Sequence, residues 1–361
     1  MNVKFNILMI ASLLLFACTK SDVIDPMSGN EQIGFETYIG RDAETKAASY
    51  GSDALPASIG VYGFYFGAGS WSATETPNLW TNLQLKSADN WAIPVGEEKY
   101  WVNNQDNYTF LSYAPFATGT GENGNGLVAS TGANPTITYT VPTDLIKQID
   151  LLYSNNNKIA HKPTTGTAVT LKHEHALSRL TVKASAEEVD PEKYVAYTFH
   201  VKEISITGDF NTRGDFNLYN ESWGSLTNKE EIYTFFTTTD AATADNALGE
   251  EVVDYSGTKT VDGVTTYGNN YLMMIPVDFS KSNAILTVKY TVLYGGVESA
   301  TKTVTHPISN KFEKGNAYAI TIKFGYDSSN LISFDCELEK GTNADGTENT
   351  TGWNDKLVGI Q

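Results

Sequence analysis

The sequence predicts an all-β fold arranged as two β-sandwiches in tandem. Short segments of alternating, β-branched and aromatic residues recur along the chain between clusters of Gly, Asn, Asp and Pro. No amphipathic helical pattern persists beyond about two turns. The length of 361 residues suits two domains, at roughly 150 residues each. With 41% hydrophobic and 12% aromatic residues the chain can build packed cores, which excludes global disorder.

Residues 1–6 carry Lys4 and lead into an almost unbroken apolar run over residues 7–16. That run is too short to span a bilayer, which takes about 20 residues, and it fits the core of a secretory signal. It ends in Leu15-Phe16-Ala17-Cys18, which resembles a bacterial lipobox. Residues 1–17 are therefore expected to be a lipoprotein signal peptide, with Cys18 acylated as the first residue of the mature chain. Several acyl chains hold a protein on a membrane firmly, at about 0.8 kcal/mol per buried methylene. Residues 19–30 are polar and without period, so they read as a leash. Ile33, Phe35, Thr37 and Ile39 then share one face of a strand, with Gly34, Glu36 and Tyr38 on the other. Arg41 and Lys46 follow in a polar segment and are the candidates for trypsin-like cleavage. A cut there detaches the leader, residues 18–46, together with that strand.

Residues 47–160 read as the first sandwich and 161–361 as the second. Strands are expected over 59–66, 108–113, 136–141, 169–172, 180–184, 199–207, 271–275, 284–294 and 317–324. Residues 119–135 read as a long loop, 161–167 as the connector, and 238–247 as the best helical window. Near the C-terminus Ile332, Phe334, Cys336 and Leu338 alternate with Ser333, Asp335 and Glu337. Val358 and Ile360 form a second, shorter alternating set after a flexible stretch.

The formal net charge is −17. Beyond residue 46 there are 21 basic against 36 acidic side chains, so the acidity belongs to the body. Such a surface repels nucleic acid and anionic lipid. Two cysteines, Cys18 and Cys336, leave no disulfide framework once Cys18 is acylated. His173 and His175 lie two apart on one strand face without a third ligand at diagnostic spacing, so they read as core histidines. Arg213-Gly214-Asp215 spells an integrin-binding tripeptide at an expected turn, and is read as a chance occurrence. Trp71, Trp80, Trp91 and Trp101 would suit either a core or a sugar-stacking platform, the core being the commoner use. The oxygen-rich stretch 343–348 lacks the spacing of a calcium loop. Nucleophile elbows, zinc-protease motifs, phosphate loops and dinucleotide fingerprints are missing, so neither an enzyme nor a metal or cofactor is expected.

Five patterns in order resemble the fimbrillin family of pilin-like lipoproteins. They are Ile33-Gly-Phe35-Glu-Thr37-Tyr-Ile39, Lys99-Tyr-Trp101 with Tyr108-Thr-Phe110-Leu-Ser-Tyr113-Ala-Pro115, Val169-Thr-Leu171-Lys-His173-Glu-His175-Ala-Leu177-Ser-Arg179-Leu180, Leu272-Met-Met-Ile275-Pro276, and Phe312-Glu-Lys-Gly315-Asn-Ala-Tyr318-Ala-Ile320. The resemblance implies two transthyretin-like sandwiches and a structural or adhesive subunit of a fimbria. It implies a lipid-anchored outer-membrane precursor that matures to the cell surface, with other fimbrial subunits as partners and an adhesive ligand on host or bacterial surfaces. Donor-strand exchange follows, in which residues 332–338 or 356–361 of one subunit fill the groove that residues 33–39 vacate in the next. The competing reading is a monomeric glycan-binding surface lipoprotein.

Overall fold

The computed structural model describes residues 31–39, 55–118, 126–325 and 332–338, apart from short gaps at 167, 188–196, 244–245, 256–258, 262–263, 267–270 and 282–283. Cys18, Arg41, Lys46, Val358, Ile360 and the 343–348 stretch lie outside the described residues.

The alternating segments form strands wherever one or both faces find a core. Ser58–Gly67, Asn107–Ala114, Leu152–Ala160 and Trp80–Lys86 join Ala168–His175 and Gly34–Ile39 in a six-stranded sheet. Its order is 34–39, 168–175, 152–160, 107–114, 58–67, 80–86. Every neighbouring pair is antiparallel except the first, where Gly34–Ile39 runs parallel to Ala168–His175. The strand that follows the expected connector thus hydrogen-bonds both to residues 152–160 before it and to residues 34–39.

Both faces of this sheet are covered. Ile33, Phe35, Ile59, Val61, Phe110, Leu152, Val169 and Leu171 on one face bury against Leu79, Trp80 and Trp101. On the other, Tyr62, Phe64, Leu111, Tyr113 and Tyr153 enter a larger core with Ile137, Tyr139 and Phe216. Successive residues alternate between the two cores, Ile59 and Val61 facing one and Tyr62 and Phe64 the other, Tyr108 and Phe110 facing one and Leu111 and Tyr113 the other, which is how near-continuous apolar runs serve both.

A second, seven-stranded sheet is organised around Tyr197–Asn217, a strand of 21 residues. Its beginning pairs with Ala284–Tyr294 and its end with Thr136–Thr140, while Ser222–Thr237 runs along much of it. A five-stranded sheet built on Ser178–Ala186, Ala317–Phe324 and Ile332–Leu338 packs on the first part of that long strand. There Phe324 meets Phe199 at 5.2 Å and Tyr290 at 5.3 Å.

Three local expectations change. Residues 238–243 are irregular, because Thr and Asn side chains capture the backbone: Asp240 N donates to Thr238 Oγ1, Thr243 N donates to Asn246 Oδ1, and Asn246 Nδ2 donates to Ala241 O. Such local bonds compete with helix formation. The long loop 119–135 holds a strand, Leu127–Ala129, paired with Thr136–Thr140. Gly126 precedes it at φ +76°, where a Cβ would lie 2.1 Å from the Thr140 carbonyl oxygen. Arg213-Gly214-Asp215 lies inside the long strand instead of at a turn, with Asp215 Oδ1 accepting from Thr138 Oγ1 at 2.6 Å. Bulges on either side of Arg213 break the alternation that would have marked it as extended.

A polar cluster joins the six-stranded sheet to the rest of the body. Glu221 accepts from Asn155 Nδ2 at 2.6 Å and Lys158 Nζ at 3.1 Å, and Lys314 Nζ donates to Tyr153 Oη at 2.6 Å. Burial opposes ionisation of Glu221, yet hydrogen bonds from Asn155 and Lys158 and the charge of Lys314 pull its carboxyl down to about 2. Beneath the cluster the Tyr153 and Phe216 rings sit 4.8 Å apart. Phe216→Ala should therefore cost about 3–5 kcal/mol by denaturant unfolding. A loss below 1 kcal/mol would show that this contact does not couple the two sheets.

Candidate assembly groove

The first strand is seated by three kinds of contact. Backbone pairing comes from six parallel register positions, from Gly34 opposite Ala168 to Ile39 opposite His173. At its start Glu31 and Gln32 pair antiparallel with Trp101 and Tyr100, and Ile33 N donates to Lys99 O at 2.9 Å. Glu31 forms an ion pair with Lys162.

The expected alternation holds in the packing. Ile33, Phe35 and Thr37 are buried and Ile39 is half-buried. Phe35 packs edge-on against Trp80 at 5.6 Å and Phe110 at 5.5 Å. Burying side chains of this size is worth about 1.5–3 kcal/mol each. On the opposite face Thr170 Oγ1 donates to Glu36 Oε1 at 2.6 Å.

The third contact is polar and buried. His173, with no exposed surface, lies 2.9 Å through Nδ1 from Thr37 Oγ1 and 2.9 Å through Nε2 from Ser112 Oγ. Each hydroxyl can donate or accept, so either imidazole tautomer is satisfied. Burial holds the imidazole down to about 4, from an ordinary 6.5. The first strand is thus bound to the inner strands of the sheet through a neutral histidine.

His175, two residues on, places Nδ1 2.8 Å from Asp150 Oδ2. The two histidines therefore serve separate partners, and no cluster of metal-ligating side chains occurs among the described residues. Trp80 and Trp101 are buried, and Trp80 Nε1 donates to Glu97 O at 2.7 Å. Trp71 and Trp91 are half-buried, and Trp71 stacks on Tyr219 at 4.4 Å. The C-terminal set Ile332, Phe334, Cys336 and Leu338 lies in an edge strand antiparallel to Ala317–Phe324, with Cys336 opposite Ile320. Ser112 was not marked by the sequence, since a serine in an apolar run carries no sign of a partner 61 residues away.

The fold defines an all-β class built of packed, partly mixed sheets, with only three-residue helical turns among the described residues. The chain belongs to the fimbrillin-like family, whose family model matches residues 45–340. A fimbrial protein from Bacteroides vulgatus shares the fold at a TM-score of 0.64 and 17% identity, covering 86% of this chain and 99% of that one. A fimbrial assembly protein from Parabacteroides distasonis aligns over 85% of this chain and 95% of its own, at 13% identity and a TM-score of 0.42. No curated protein matches the chain.

Two outcomes follow from this geometry. Phe35→Ala should destabilise the full chain by about 3–5 kcal/mol, read by thermal or denaturant unfolding. An unfolded imidazole gains its proton near pH 6.5, whereas buried His173 resists until about pH 4. The unfolded state therefore binds more protons between those values, and stability falls as the pH drops through that window. The loss is roughly 3 kcal/mol over the full window. His173→Gln keeps hydrogen-bonding groups and removes the titration, so its stability should fall less between pH 7 and 4.5 than that of the parent chain. Equal losses would refute a neutral His173.

Proposed function

We propose that this chain is a structural or adhesive subunit of a cell-surface fimbria, assembled by exchange of its first strand. Membership in the fimbrillin-like family supports the subunit role. The observation that carries the mechanism is the seating of residues 33–39. Gly34–Ile39 lies at the edge of the six-stranded sheet with Ala168–His175 as its neighbour there, and the strand places Ile33 and Phe35 in a core. Its departure exposes an apolar trough beside the unpaired backbone of Ala168–His175, and such an edge is a template for a strand from another chain.

The steps before exchange follow from the sequence. Cys18 carries the lipid anchor of the exported precursor at the outer membrane. A trypsin-like protease cuts after Arg41 or Lys46, which releases the anchor and frees the strand. The subunit then enters a homo- or heteropolymer of fimbrial subunits at the cell surface, with residues 332–338 or 356–361 of its neighbour as donor. Of the four tryptophans that a glycan platform would use, Trp80 and Trp101 are core residues and Trp71 stacks on Tyr219, so the four do not make one open aromatic face for the competing glycan-binding reading.

Chain beginning at Asp42 or Ala47 should polymerise, or bind peptides from its own C-terminus. Chain beginning at Thr19 should remain monomeric until it is cut. If the shortened chain stays monomeric and as stable as the longer one, exchange at this trough is wrong.

A further inference from the structure

The alternation that seats the first strand is repeated near the C-terminus with the same chemistry at each place. Residues 33–39 read Ile-Gly-Phe-Glu-Thr-Tyr-Ile, and residues 332–338 read Ile-Ser-Phe-Asp-Cys-Glu-Leu. Laid one on the other, Ile332 takes the place of Ile33 and Phe334 that of Phe35, the ring set between Trp80 and Phe110. Asp335 falls on Glu36, whose carboxylate accepts from Thr170 Oγ1. Leu338 falls on Ile39. Between the apolar places, Cys336 falls on Thr37, the one inward residue of the strand that hydrogen-bonds His173.

We propose that His173 is the specificity and register determinant of the groove. It selects a strand with a small hydrogen-bonding side chain between apolar anchors, and residues 332–338 of a second copy of this chain fit it with Cys336 against the imidazole. The inference rests on the strand-exchange reading above and names the occupant within it.

The physical reason is the cost of a buried polar atom left without a partner. His173 has no exposed surface, and loss of Thr37 leaves Nδ1 facing the vacated trough while Nε2 remains with Ser112. An incoming aliphatic group at that place takes away the side-chain partner and leaves the imidazole nitrogen sealed from water with backbone contacts such as that to Leu171 alone, whereas a hydroxyl or thiol restores the pairing. A slip of two residues in either direction would set Phe334 or Leu338 against the imidazole in place of Cys336. One histidine therefore rejects both wrong registers. The same test disfavours the shorter set, since Val358 or Ile360 in Thr37's place brings only a hydrocarbon side chain. A thiol bonds more weakly than a hydroxyl, so the native segment is not the tightest strand that the groove can hold.

The experiment uses the full chain carrying a site-specific protease sequence at 42–46, cut in the folded state so that residues 31–41 can be displaced. Fluorescent peptides are then titrated in: one copying 31–40, one copying 330–340, its Cys336→Thr and Cys336→Val forms, and one copying 354–361. Binding is expected for the first two, with tighter binding for Cys336→Thr. Cys336→Val should bind roughly tenfold or more weakly than the native segment, and 354–361 more weakly still. In cut chain carrying His173→Leu the penalty on the valine form should vanish. Should the 31–40 copy itself fail to enter, strand exchange falls and this inference with it. Should that copy enter while the valine form binds as well as the native segment, or 354–361 bind better, exchange stands and the selective role of His173 falls.

Discussion

The neutral imidazole of His173, held between Thr37 and Ser112, is the constraint on which the first strand's seating depends. The strand runs parallel to its one sheet neighbour, the less stable pairing per residue. Backbone bonds alone do not fix such an edge, because strands shift in register wherever their side chains leave the choice open. Phe35 supplies the area, set against Trp80 and Phe110, and the histidine supplies a buried polar contact at the single position of Thr37. Burial makes both effects stronger: it raises the value of each apolar contact and the cost of each unpartnered polar atom.

Much of this was legible in the sequence, and what was not has identifiable causes. Period-two alternation located Ala284–Tyr294 and the first strand, because half-buried strands leave that signature directly, whereas Ser58–Gly67 and Asn107–Ala114, buried on both faces, showed as short β-branched and aromatic runs. Pairing was not legible. Nothing in residues 33–39 states that their neighbour is a parallel strand more than 130 residues away, nor that Ser112 completes the histidine's partners. Bulges hid the extended nature of Arg213-Gly214-Asp215, since an extra residue breaks the alternation on which the reading depends. The helical expectation is not met over 238–243 for a local reason, the capture of backbone amides by Thr238 and Asn246.

Charge and apolar burial divide the work of association. A body with a formal charge of −17 repels its copies at long range, a repulsion screened within about 8 Å at physiological salt. Attraction between copies must therefore come from short-range contacts that are available only when a surface is newly opened. On the proposed strand exchange, a trough filled by the first strand until the leader is cut would meet that requirement.

The 21-residue strand Tyr197–Asn217 has a mechanical consequence. At about 3.3 Å per residue it spans roughly 70 Å, flanked along its length by strands on one side or both. Tension applied along that axis loads its ladders in shear, so many bonds must rupture together instead of unzipping singly. Loaded along its own axis, the long strand acts as a tie-rod between the ladders at its two ends.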